Sequence, residues 1–71
     1  MKVVCSSNEY VNSGDVVLVR NELDEIWAIS IFSHTDNDNY ICTNNTIWKY
    51  CVPLANNEYL CGTSKNHYIM I

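Results

Sequence analysis

The chain has little of what bends, charges or threads most proteins. Among its 71 residues there are two glycines, one proline and four strong cations, namely Lys2, Arg20, Lys49 and Lys65. Four cations against eight acids leave a formal net charge of -4. Duplex nucleic acid is not an expected partner, because displacing its counterions takes several basic side chains. The acidity is scattered. Its densest runs, Glu22-Leu23-Asp24-Glu25 and Asp36-Asn37-Asp38, read as solvated loops.

Long apolar runs are missing too, and none approaches the ~20 residues that cross a bilayer. Polar Ser6-Ser7-Asn8-Glu9 follows Met1-Lys2-Val3-Val4-Cys5 at once, which leaves no apolar core for a secretory signal. The expectation is a cytoplasmic protein with no membrane contact and with reduced thiols. Cys5, Cys42, Cys51 and Cys61 form no CxxC pair. Zinc held by Cys42, Cys51, Cys61 and His34 is chemically sound, but structural zinc ligands come in close pairs. Thiols buried as small hydrophobes fit the spacing better. No metal or cofactor is expected. With no phosphate-cradling glycine loop and no paired nucleophile and base, no enzymatic activity is expected either.

Helix formers are scarce, with two Ala and four Leu against eighteen Val, Ile and Thr together. That ratio favours pleated surfaces, and no window keeps helical spacing for ten residues. A chain of this size makes one domain, 1–71, which buries only about 60% of its unfolded surface. Ten Asn supplement the two Gly as turn residues.

The expected elements are short. Ser13-Gly14-Asp15 is a turn, and Val16 to Arg20 a strand. Ile26 to His34 is the longest strand, with Trp27, Ile29, Ile31 and Ser33 on one face and Ala28, Ser30, Phe32 and His34 on the other. Tyr40 to Thr43 pairs with Ile47 to Val52 through Asn44-Asn45, and Pro53 closes that strand. Leu54 to Glu58 reads as a 3₁₀ turn and Tyr59 to Thr63 as a last strand. The whole is an all-β domain, a single small SH3-like barrel of about five strands with a core over 14–63 and short N- and C-terminal extensions. Glu9-Tyr10-Val11 is a candidate edge strand. The apolar tail His67 to Ile71 packs on its own barrel or on a second copy, the latter making a homo-oligomer.

Six residues are candidates for ligand binding. Arg20 is the only arginine, and its planar fork suits phosphate or carboxylate; a salt bridge to Glu22, Asp24 or Glu25 is the alternative. Trp27 and Trp48 offer faces for stacking but are also candidates for the core. Tyr40, like Tyr50 and Tyr59, has an amphipathic ring suited to a wet rim. His34 ends its strand beside an acidic loop and can hydrogen-bond a ligand; alternation along the strand sends Ser33 to the opposite face and excludes a direct Ser33–His34 dyad. Lys49 is a second phosphate contact or an edge charge, and should point outward with Ile47 and Cys51.

From Gly14 to Thr63 the chain resembles a group of short, functionally unassigned proteins of gut Bacteroidales and their phages. The resemblance rests on Val17-Leu18-Val19-Arg20, Trp27, Phe32-Ser33-His34, Tyr40-Ile41-Cys42, Trp48, Cys51-Val52-Pro53, Asn57-Glu58, Leu60 and Gly62-Thr63. Asn21 stands where the group usually has Asp, and Leu54 where it often has Tyr. The resemblance implies phage or prophage origin, and with it a counter-defence binding role in the host cell cytoplasm. One form of that role is a sponge that sequesters a nucleotide-derived immune signal. The other is an inhibitor or adaptor that binds a host defence protein. A barrel this small is filled by its own side chains, so a sponge site is expected at a subunit interface.

Overall fold

The computed structural model describes residues 2–67, which make up an all-β unit of 26 × 24 × 19 Å. Strands β1 (Lys2–Val4) and β2 (Tyr10–Asn12) form an antiparallel hairpin, a sheet of their own. Five further strands follow: β3 (Val16–Arg20), β4 (Ala28–Asp36), β5 (Asn39–Cys42), β6 (Ile47–Trp48) and β7 (Tyr50–Pro53). They form a second sheet in the order β6-β5-β4-β3-β7. A single 3₁₀ turn, Glu58–Leu60, follows. No described helix is long and apolar enough to cross a membrane.

Asparagine does the work that glycine does elsewhere. Both glycines have positive φ, and so do Asn8, Asn37, Asp38, Asn45 and Asn56. Asn and Asp tolerate this region because their short side chains hydrogen-bond locally. Consecutive positive φ at Asn37 and Asp38 makes the two-residue hairpin turn that suits the twist of β4 and β5.

Residues opposite one another across an antiparallel pair share a face, and the register sorts β3 into two cores. Val17 and Val19 pack with Phe32, Cys42 and Cys51 under Cys5 and Val11, so the β1–β2 hairpin covers this side. Leu18 packs with Val52 of β7, Trp27 and Leu60. Both sides of β3 are buried, which is why it reads as a continuous apolar run.

Four expectations need correction. The β4 ladder slips between Phe32 and His34, so that Ser33 and His34 together oppose Ile41. Such a bulge breaks the alternation, and Ser33 Oγ lies 2.9 Å from His34 Nδ1 instead of on the opposite face. The expected strand Ile47 to Val52 is broken at Lys49. The break reverses the phase: Cys51 is buried in the first core while Ile47 is exposed. The 3₁₀ turn falls at Glu58–Leu60, four residues later than its expected start. Tyr59 to Thr63 is therefore not a strand but the end of that turn and the bend after it. Of the apolar tail, only His67 is among the described residues, and the expected packing of 68–71 lies outside them.

Candidate functional site

Arg20 ends β3 on the side of the second core, opposite Tyr50 of β7. Its side chain is fully buried, with the guanidinium 4.1 Å from the centre of the Trp27 indole. Nη1 donates to the carbonyls of Ser64 (2.9 Å) and Glu25 (3.3 Å), and Nη2 to Asn66 Oδ1 (2.9 Å). Among the described residues these acceptors are all neutral oxygens, and Nε is buried with no partner. Burial lowers the pKa of the guanidinium, opposed by the nearby Tyr50, Asp24 and Glu25. Trp27 is buried as well. Its indole N–H donates to the Lys65 carbonyl at 2.8 Å, and its backbone N–H to the Thr63 carbonyl at 2.9 Å. The segment 63–67 thus lies over both residues, and its His67 ring meets Trp27 edge-on at 6.1 Å.

The other four candidates lie elsewhere. Tyr40 of β5 opposes Trp48 of β6, and both pack partly buried against the first core. Their polar ends bond to the chain: Tyr40 Oη donates to the Val4 carbonyl (3.2 Å) and Trp48 Nε1 to Thr46 Oγ1 (2.8 Å). Burial raises the pKa of the Tyr40 phenol. Lys49 is exposed, with its backbone N–H donating to Asn21 Oδ1 at 3.0 Å. His34 is exposed on the bulge beside Ser33. The structure pairs Arg20 with Trp27 and Tyr40 with Trp48, and does not bring all six to one surface.

The cysteines divide the same way. Cys5, Cys42 and Cys51 are buried in the first core and Cys61 is exposed. Among the described residues no cluster of three or more His, Cys, Asp or Glu is placed to hold a metal.

A cleft lies among residues outside the six candidates. Its volume is about 460 Å³, and it is lined by Tyr10, Asp15, Val16, Pro53, Leu54, Ala55 and Glu58. That volume falls within the range of ligand pockets, so a single subunit presents a cavity that was expected only between two. The cleft is built by the ends of strands and the turns beside them. Tyr10 comes from β2, Asp15 and Val16 from the turn into β3, and Pro53 from the end of β7. Leu54 N–H donates to the Val16 carbonyl at 3.1 Å and holds the two walls together.

The carboxylates of the cleft are fixed by the backbone. Asp15 Oδ2 accepts from the Asn12 N–H at 2.8 Å, and Glu58 Oε1 from the Asn56 N–H at 3.1 Å. Tyr10 is 64% exposed, and its ring forms an open apolar wall. The lining contains no cationic side chain. Three separated segments build this site, each a strand end or the turn beside it. The one available signal was the apolar Pro53-Leu54-Ala55 run within a turn, of which Leu54 packs partly buried against the second core.

Compared with known protein families, curated proteins and solved structures, the chain matches none.

Proposed function

We propose that this protein is a binding module that docks a segment of a protein partner in the Tyr10–Pro53 cleft, with no covalent chemistry. The observation that carries this reading is the lining itself: an aromatic ring, a proline and aliphatic side chains beside two carboxylates, with no cation. Protein interfaces favour such aromatic anchors with a polar rim, whereas an anionic nucleotide would meet like charge. The strand order supports an SH3-like barrel as scaffold, since β6 and β7 stand at opposite ends of the sheet and only Lys49 separates them in sequence. In a phage-type counter-defence role, the partner is a host defence protein that this module inhibits or redirects.

A sponge for a nucleotide-derived signal is the second reading, and one observation favours it. The Arg20–Trp27 stack is held by neutral oxygens of 64–66, places that phosphate oxygens suit better. This reading requires that segment to leave its position.

Selection of a random peptide display library on the immobilised protein separates the two. Enrichment on the wild type that is lost on Tyr10→Ala supports the module. No enrichment, together with micromolar or tighter calorimetric binding of cyclic dinucleotides or cyclic ADP-ribose isomers, overturns it in favour of the sponge.

A further inference from the structure

The cleft does not end at Val16. Val16 is 43% exposed and sits directly opposite Ile31, also 43% exposed, on the neighbouring strand β4. Two residues along β4 on the same face is Ile29, 58% exposed. The register shows where the cover of this face stops. Leu18, opposite Ile29, is fully buried under the layer that contains Leu54 and Leu60. That layer therefore reaches β3 and leaves β4 bare. The result is a row of three aliphatic side chains that starts at Val16 in the wall of the cleft, crosses to Ile31 on β4 and turns along that strand to Ile29.

Charge is distributed unevenly along this surface. Asp15 and Glu58 stand at the cleft, while Ile31 and Ile29 on the row are uncharged, with only Ser30 between them in sequence. The two carboxylates keep their positions through backbone hydrogen bonds. They are thus presented at fixed sites and need little ordering when a cation arrives.

Resting on the reading of the cleft as a protein-docking site, we propose that the docking surface runs from the cleft across Val16 to Ile31 and Ile29. Its occupant is an extended segment of a protein partner, with lysine or arginine at the end that lies in the cleft and alternate apolar side chains beyond it. Charge complementarity selects the cationic end. The spacing selects the rest: side chains two apart on a strand recur about every 6.6–6.8 Å, which is also the repeat of Ile29 and Ile31. A nucleic acid is disfavoured by the same carboxylates.

The test uses display-selected peptides, with affinities read by fluorescence anisotropy on the whole protein. Enriched sequences should carry Lys or Arg at one end and apolar residues at alternate positions. Asp15→Asn and Glu58→Gln retain the hydrogen-bond acceptors and remove the charges; each should weaken binding about two- to five-fold and flatten its salt dependence. Ile31→Ser and Ile29→Ser should each weaken it about five-fold, with an unchanged circular dichroism spectrum. Basic peptides that bind the Ile31→Ser and Ile29→Ser variants as tightly as wild type would overturn the extended surface while leaving the cleft reading intact. Enrichment of acidic peptides would overturn the choice of occupant. Failure of any peptide to bind would remove both. A concentration-dependent dimer in sedimentation equilibrium, abolished by Ile31→Ser, would assign the row to a second copy of the chain and overturn the proposal.

Discussion

The guanidinium of Arg20 lies 4.1 Å from the centre of the Trp27 ring, and both side chains are held from above by oxygens of residues 64–66. The two residues with the strongest ligand-binding chemistry in the sequence are, in this structure, partners of each other. A buried cation kept in place by stacking and by neutral acceptors depends on every member of the set.

Trp27→Ala should therefore cost about 3–5 kcal/mol, as truncation of a buried large aromatic does. Arg20→Ala should also destabilise, and the double variant should lose less than the sum. Urea unfolding of the four proteins measures this cycle. Additivity within about 0.5 kcal/mol would mean that the stack carries no coupling.

Thiol reactivity should split the cysteines one against three. Cys61 is exposed, while Cys5, Cys42 and Cys51 are buried. The Cys51 thiol is held far above the usual range by its contact with Cys5, 4.0 Å away between sulfurs, and by burial. At neutral pH iodoacetamide should modify Cys61 within minutes and the other three only as the protein opens. Mass spectrometry showing rapid modification at Cys51 would contradict the packing of the first core.

Stability should fall in alkali. Both Cys51 and Tyr40 have raised pKa values in the folded protein. The fold therefore favours their protonated forms, and the stability this contributes is present below the unfolded values, about 8.5 for thiols and 10 for phenols. It is lost as pH rises above them. Urea midpoints recorded from neutral pH to pH 11 should decline through this window, and less steeply above pH 10 for Tyr40→Phe. That variant should also lose about 1 kcal/mol at neutral pH with the hydrogen bond to the Val4 carbonyl.

His34→Ala should change stability by no more than about 0.5 kcal/mol, the usual limit for an exposed position, and should leave peptide affinity unaltered. The imidazole sits on the β4 bulge, outside both the cleft lining and the Ile31–Ile29 part of the docking surface. A loss of peptide binding in this variant, measured by anisotropy, would move the site to the bulge.

The strand chemistry was legible where one residue type dominates. Val16 to Arg20 reads as a strand because Val17 to Arg20 are buried on alternating faces, and the all-β class follows from the same β-branched content. What escaped was a set of local irregularities. Nothing in Phe32-Ser33-His34 marks a bulge, yet it overturned the prediction for Ser33 and His34. The break at Lys49 likewise turned Cys51 into the core while Ile47 stayed exposed. The role of Arg20 was hidden for another reason. Two of its three partners are 44 and 46 residues away, and two of the three are backbone carbonyls, which no side-chain pattern reveals. The cleft residues were missed because strand ends and turns are read as connections, and here three such segments, distant in sequence, meet.

The central claim is that ligand binds at the Tyr10–Pro53 cleft and not at the residues the sequence favoured. Titration of ¹⁵N-labelled protein with a display-selected peptide, followed by amide chemical-shift mapping, tests it most directly. The predicted result is a contiguous set of shifts over Tyr10, Asp15, Val16, Leu54 and Glu58, with Trp48 and Lys49 unmoved. Shifts centred on His34, Trp48 and Lys49, with the cleft amides unchanged, would contradict it.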